Sequence, residues 1–202
     1  KNKLESNLVA YYTFDNYTIL GDVISDISGN EIDLTIPNLE SKTGYFGESI
    51  DMTSTTSSYL DGVIFDGEQK YTMSVWAKNG TGGSFGAFID NSINSTDNGV
   101  YFGRLHSPEG IRVQSNQNFK NDYTLSEIRD GLWHHYCAVF DGNNLKLYMD
   151  GVLQTPNDEY RAGAYTIPKQ TVSARVGNSN DLYPFLGEMD EFKIYNTVLT
   201  EN

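Results

Sequence analysis

Between Trp133 and Met149 two short apolar-alternating runs flank Asp141-Gly-Asn-Asn144, a composition that admits little besides a tight β-hairpin. The same grammar repeats from end to end. Runs at 8–14, 49–52, 59–64, 71–78, 84–90, 100–105, 110–115, 173–178 and 187–195 read as strands, and Gly, Asn and Asp clusters bound them. The stretch 22–30 and Asp150-Gly151 read as turns, and 125–129 as one helical turn at most. Many short strands at this spacing predict an all-β sandwich or barrel. A chain of 202 residues suits one such domain, spanning 1–202, and buries roughly 70% of its unfolded surface.

Alternation assigns faces. Tyr71, Met73, Val75 and Ala77 share one side of their strand, and Thr72, Ser74, Trp76 and Lys78 the other. By the same rule Leu145, Leu147 and Met149 point inward, while Lys146 and Tyr148 point away. Ile111 and Val113 oppose Arg112 and Gln114, and Phe192 and Ile194 oppose Lys193 and Tyr195. Outward faces that mix Trp or Tyr with Lys, Arg and Gln suit sugar, whose C–H faces stack on rings while its hydroxyls seek polar groups. Candidate ligand contacts are therefore Trp76, Tyr148, Arg112 and Lys146. Tyr101, Tyr123, Tyr160, Tyr165 and Tyr183 are rim candidates. The alternative is an ordinary solvated face whose rings are covered by neighbouring loops.

Charge and composition exclude several partners. The net charge of −13 repels nucleic acid and anionic membranes and tolerates divalent cations. No window approaches the roughly 18 apolar residues of a membrane helix. The polar start at 1–7 places any signal peptide outside this sequence, and the abrupt polar ends suggest a domain cut from a larger protein. The single Cys137 lies in an apolar run, where it reads as a small buried hydrophobe. Three glycosylation acceptors, at Asn16, Asn79 and Asn94, matter only in a eukaryotic secretory pathway. Of the three histidines, His134 and His135 are adjacent and point to opposite faces of a strand, which argues against zinc.

Five stretches, in order, resemble the LamG-like jelly-roll domains of the concanavalin A-like lectin/glucanase superfamily. They are Leu8-Val-Ala-Tyr-Tyr-Thr-Phe-Asp15 with Asp26-Ile-Ser-Gly-Asn30, Gly44-Tyr-Phe-Gly47, Tyr71-Thr-Met-Ser-Val-Trp76, the Trp133-His-His-Tyr136 hairpin, and Phe185-Leu-Gly-Glu-Met-Asp-Glu-Phe-Lys-Ile-Tyr195. The resemblance implies an antiparallel two-sheet β-sandwich, a jelly roll. It also implies a structural Ca²⁺ where the first and last strands meet, carried onto Asp26, Asn30 and Asp190, with Asp15 as a further oxygen donor. The alternative for 26–30 is a turn whose side chains bond their own backbone. Glucanases of the superfamily carry a Glu-x-Asp-x-x-Glu-like motif for a retaining mechanism. Here Glu188-Met-Asp190-Glu191 is followed by Phe192 and Lys193, so the second catalytic Glu is missing.

The expectation is a non-catalytic extracellular or surface recognition module that binds carbohydrate. Two alternatives stand beside it. One is a protein-interaction or adhesion domain of a cell or viral surface, and the other a divergent glycoside hydrolase or lyase.

Overall fold

The structure is a computed structural model and describes residues 5–53, 58–62, 64–65, 67, 70–80, 86–91, 99–105, 109–116, 118–162, 173–179 and 183–200. Among the described residues fourteen strands build two large sheets. In chain order they are Leu8–Tyr12 (β1), Glu40–Thr43 (β2), Glu48–Asp51 (β3), Tyr71–Asn79 (β4), Gly86–Asp90 (β5), Tyr101–Leu105 (β6) and Gly110–Asn116 (β7). Then follow Phe119–Thr124 (β8), Trp133–Phe140 (β9), Leu145–Met149 (β10), Val152–Leu153 (β11), Asp158–Arg161 (β12), Arg175–Val176 (β13) and Gly187–Tyr195 (β14). The eight-stranded sheet runs β11-β10-β9-β4-β14-β3-β2, with β1 also on β14; the six-stranded sheet runs β12-β8-β7-β6-β5-β13. Neighbours in both sheets pair antiparallel. A four-stranded sheet (Ile19–Leu20, Val23–Ile24, Leu34–Thr35, Tyr59–Leu60) and the pair Asn178–Ser179 with Tyr183–Pro184 complete the set. Among the described residues the only helices are short 3-10 turns, including Ser126–Arg129 where one helical turn was expected.

The sheets face each other across one apolar core, as the alternation requires. Met73, Val75 and Ala77 of β4 are fully buried, as are Ile111 and Val113 of β7. Rings cross the gap: Phe88 lies 5.5 Å from Tyr136, and Phe119 lies 5.7 Å from Phe140. Polar groups in the core are satisfied between the sheets. Asn121 Nδ2 and Tyr123 Oη both donate to the Leu145 carbonyl, at 2.9 and 3.2 Å, which spares buried polar atoms their desolvation cost. The hairpin turn forms as its composition dictates, with Asp141 Oδ1 accepting from the N–H groups of Asn143 and Asn144 at 2.9 and 2.8 Å.

Some strands differ from expectation for identifiable reasons. The run at 59–64 shortens to Tyr59–Leu60. The run at 173–178 divides at Gly177, whose φ of 71° ends β13 before Asn178 starts a separate pair. The run at 84–90 is described only from Gly86. Three strands carried no apolar alternation to detect. β2 and β12 are wholly exposed edge strands, and β8 turns Asn121 inward between Phe119 and Tyr123.

His134, at the end of β9 where the sheet meets two turns, is clasped on both ring nitrogens. Nδ1 lies 2.7 Å from Asp150 Oδ2 and Nε2 lies 3.0 Å from Asp130 Oδ2. A neutral imidazole donates from one nitrogen only, so the pair of carboxylates favours the imidazolium. Desolvation opposes that charge, but the two carboxylates outweigh it, and the His134 pKa is raised. A raised folded-state pKa contributes stability that is complete below the unfolded value and is lost as pH rises through the folded value. Urea midpoints measured from pH 6 to 9 should therefore fall more steeply in the parent than in His134→Gln. The expected difference is about 1 kcal/mol, the scale of a charge-assisted bond at a partly exposed site. Parallel profiles for the two proteins would reject the clasp.

Candidate functional site

The outward face of the eight-stranded sheet carries a tier of aromatic rings built on Trp76. Trp76 points outward from β4 opposite His135 of β9 and Asp190 of β14. The β2–β3 hairpin folds its tip over the indole. Tyr45 stacks on Trp76 with ring centroids 3.5 Å apart and planes within 11°, and Phe46 meets Tyr45 edge-on at 4.8 Å. The His135 ring lies 5.3 Å from the indole on another side. Tyr45 and Phe46 remain 46% and 56% exposed, so they form the outer surface of the tier.

Two carboxylates fix the hairpin tip. Asp190 Oδ2 accepts the Phe46 N–H at 2.9 Å, and Asp15 Oδ1 accepts the Glu48 N–H at 3.0 Å. Gly44 and Gly47 bracket the rings because nothing larger fits. A Cβ on Gly44 would lie 2.6 Å from the Glu48 carbonyl oxygen and 2.7 Å from Asp190 Oδ2. On Gly47, whose φ is 54°, a Cβ would collide with Asp15 Oδ1. Asp190 is fully buried and its Oδ1 has no hydrogen-bond partner. Burial, with repulsion from Glu191 and Asp15, pushes its pKa up to about 7.

The four oxygen donors expected for Ca²⁺ separate into two groups. Asp15 and Asp190 meet at the hairpin tip. Asp26 is spent on the local turn: Oδ1 accepts from the N–H groups of Tyr11 and Ser28, both at 2.9 Å, and Oδ2 from Ser28 Oγ at 2.7 Å. Asn30 donates through Nδ2 to the carbonyls of Leu8 and Val9 at 2.8 and 2.9 Å. The stretch 26–30 thus staples β1, as the turn alternative requires. Among the described residues no group of three or more His, Cys, Asp or Glu side chains is arranged to hold a metal.

The expected ligand contacts also separate. Tyr148 and Lys146 share the outward face with Trp76, with β9 between them. Arg112 lies on the six-stranded sheet, where its Nε and Nη2 bind Asp122 at 2.7 and 2.8 Å, so it does not join the other three. Of the rim candidates, Tyr123 is buried in the core and Tyr101 donates its hydroxyl to the Arg104 carbonyl at 2.8 Å. Tyr160 and Tyr183 are exposed, and Tyr165 lies outside the described residues. Tyr45 and Phe46, which are not among the expected contacts, are exposed rings on this face. Their signal was two adjacent rings between two glycines at a hairpin tip, too short a span to turn both inward. The Cys137 thiol, half-buried, is pushed up to about 11 by desolvation and stays protonated at neutral pH. Glu188 pairs with Lys78 at 3.0 Å, and Glu191 accepts from the Tyr11 hydroxyl and Lys193, both at 2.6 Å.

The family model for laminin G-type domains of the concanavalin A-like lectin/glucanases superfamily matches residues 51–202. The chain belongs to that superfamily. No curated protein matches the chain. Among solved structures, domain 4 of AbnA, a GH43 extracellular arabinanase from Geobacillus stearothermophilus in complex with arabinotriose, is similar. It has 19% identity and a TM-score of 0.69, and the match covers 96% of this chain and 94% of that one. Botulinum neurotoxin type C, in a structure whose subject is cell entry through two ganglioside molecules, matches at 10% identity and TM-score 0.67. That match covers 98% of this chain and 49% of the toxin's. The Trypanosoma rangeli sialidase with 2,3-difluorosialic acid matches at 11% identity and TM-score 0.68, covering 96% of this chain and 31% of that one. This superfamily member therefore spans about half of the toxin chain and a third of the sialidase. At such identities the likeness establishes the shared jelly-roll sandwich.

The tip geometry yields a direct test. Gly47→Ala should destabilise the protein by about 1–3 kcal/mol, because it combines a left-handed backbone with overpacking against Asp15. It should also shift the Trp76 fluorescence by displacing Tyr45. An unchanged melting midpoint and spectrum would mean that the tip is not held as described.

Proposed function

We propose that this chain is a non-catalytic carbohydrate-recognition module, displayed outside the cell or on a cell or virion surface as part of a larger protein or assembly. It meets its glycan on the Tyr45–Phe46 surface over Trp76. The observation that carries this reading is that two exposed rings are held in fixed positions, one by stacking and the other through its main-chain N–H. Rigid rings offer apolar area without ordering cost on binding, and Lys78 and Glu188, on the same face, offer partners for hydroxyls. The arabinotriose held by the arabinanase domain makes that trisaccharide the first probe. A non-catalytic role fits the commitments of Glu188 to Lys78 and of Glu191 to Lys193.

A glycan array that includes arabinotriose, followed by titration calorimetry on any positive, tests the proposal. Tyr45→Ala and Phe46→Ala should each weaken binding by about tenfold, the scale of one well-packed aromatic contact. Undiminished binding by the double variant would place the glycan elsewhere. Silence across the array, with mass increasing with concentration in light scattering, would favour the protein-interaction alternative.

The proposal extends to a structural Ca²⁺ held by Asp15 and Asp190. Supporting it, the Glu48 carbonyl oxygen and Asp190 Oδ2 converge on Gly44, and the buried Asp190 Oδ1 lacks a partner. Two carboxylates with main-chain carbonyls and water suit an ion that takes six to eight oxygens. Bound Ca²⁺ would offset the cost of burying Asp190 as an anion. At a hundredfold excess over Kd, Ca²⁺ should raise stability by about 2.7 kcal/mol relative to EGTA, and Asp190→Asn should abolish the difference. Equal melting midpoints in Ca²⁺ and EGTA would remove this part of the reading.

A further inference from the structure

We infer that the Tyr45–Phe46 surface selects uncharged saccharides and turns away sialylated, sulfated and uronic ones. The inference rests on the reading of these two rings as the glycan plate and names the class of ligand they admit.

The charges around the plate have one dominant sign. Asp190 and Asp15 hold the hairpin tip from beneath, and Glu48 closes it, its carboxylate accepting from the main-chain N–H and side-chain amide of Asn16. Glu188 and Glu191 follow on β14, on either side of Asp190. Among the described residues, Lys78 and Lys193 lie on β4 and β14 with these carboxylates and both are engaged; Lys42 of β2 is 3.6 and 3.9 Å from two further carboxylates, Glu40 and Asp51, and Lys146 shares the face beyond β9. Lys78 Nζ lies 3.0 Å from Glu188, and Lys193 Nζ lies 2.6 Å from Glu191 and 4.3 Å from the centre of the Tyr11 ring. Burial lowers the His135 pKa, so the imidazole beside Trp76 adds no positive charge at neutral pH.

The placement of arginine points the same way. Planar guanidinium groups recognise carboxylates and sulfates through paired hydrogen bonds. None of the eight described strands of this sheet contains an arginine. Arg104, Arg112, Arg161 and Arg175 all belong to the six-stranded sheet, and Arg129 to the 3-10 turn before β9. An anionic sugar on the plate would find no fork to bind and a field that repels it.

The test compares matched glycans that differ only in charge. Lactose, 3′-sialyllactose and 3′-sulfolactose, with arabinotriose as a further neutral probe, are arrayed and titrated against the intact protein in low salt with EGTA and again with Ca²⁺. Neutral members should bind, with the charged ones at least about tenfold weaker, and the gap should narrow as salt screens the field. Glu188→Gln frees Lys78 and should narrow the gap further. The inference is overturned if charged members bind as tightly as neutral ones and Phe46→Ala abolishes both, an outcome that leaves the plate itself intact. If binding of either class is unaffected by Tyr45→Ala and Phe46→Ala, the plate reading falls and the selectivity with it. If no member binds, both fall.

Discussion

The structure depends on the placement of its last strand. β14 lies in the middle of the eight-stranded sheet, bonded to β4 on one side and to β1 and β3 on the other. A chain whose final strand sits between its earliest ones closes its core only when the C-terminal segment docks. The core therefore rests on long-range pairs such as Tyr12 with Phe192 and Ala77 with Met189. β14 also breaks its own alternation. Between Asp190 and Lys193 the register shifts, and Glu191 takes a φ of 52°. This bulge lets Met189 and Phe192 both face inward, fully buried, although an unbroken strand would turn them to opposite sides. The extra residue leaves Asp190 outward beneath the hairpin tip and Lys193 outward beside Tyr11. One local irregularity thus sets the core packing and the floor of the candidate site together.

Fold and site were unequally legible in the sequence. Strands with one face in the core carry a period of two that survives any reasonable reading, and β4, β9, β10 and β14 occupy nearly the expected spans. Edge strands such as Glu40–Thr43 and Asp158–Arg161 have no buried face, so nothing in their side chains distinguishes them from loops. Phe119–Thr124 hid for the opposite reason, because its inward Asn121 is satisfied by a carbonyl of the other sheet that a one-dimensional pattern does not contain. Alternation also says which way a side chain points but not from which sheet. Arg112 and Trp76 both face outward as expected, on opposite sides of the molecule, and the bidentate pair with Asp122 was visible only in three dimensions.

The acidic residues show a similar division. Asp15, Asp26 and Asp190 are alike in composition, yet their surroundings give them different roles. Asp26 is saturated by local N–H and hydroxyl donors and behaves as part of a turn. Asp190 is buried with one oxygen bonded and the other without a partner, which is costly for an ionised carboxylate. The family resemblance placed metal-binding oxygen on both, and the hydrogen bonds separate them.

The same geometry places the outer rings, and not Trp76, at the surface of the aromatic tier. Trp76 is the largest ring on this face, but Tyr45 lies flat against it at stacking distance, so the indole serves as a foundation. Exposed rings usually lose side-chain freedom on binding, which reduces the free energy left for affinity. Here that freedom is already restricted. Tyr45 is held between Trp76 and the Phe46 edge, the Phe46 main chain is tied to Asp190, and the flanking glycines admit no bulkier backbone. The arrangement is preorganised by contacts that lie beneath the surface, so substitutions at Gly44, Gly47 or Asp190 displace the rings without altering them.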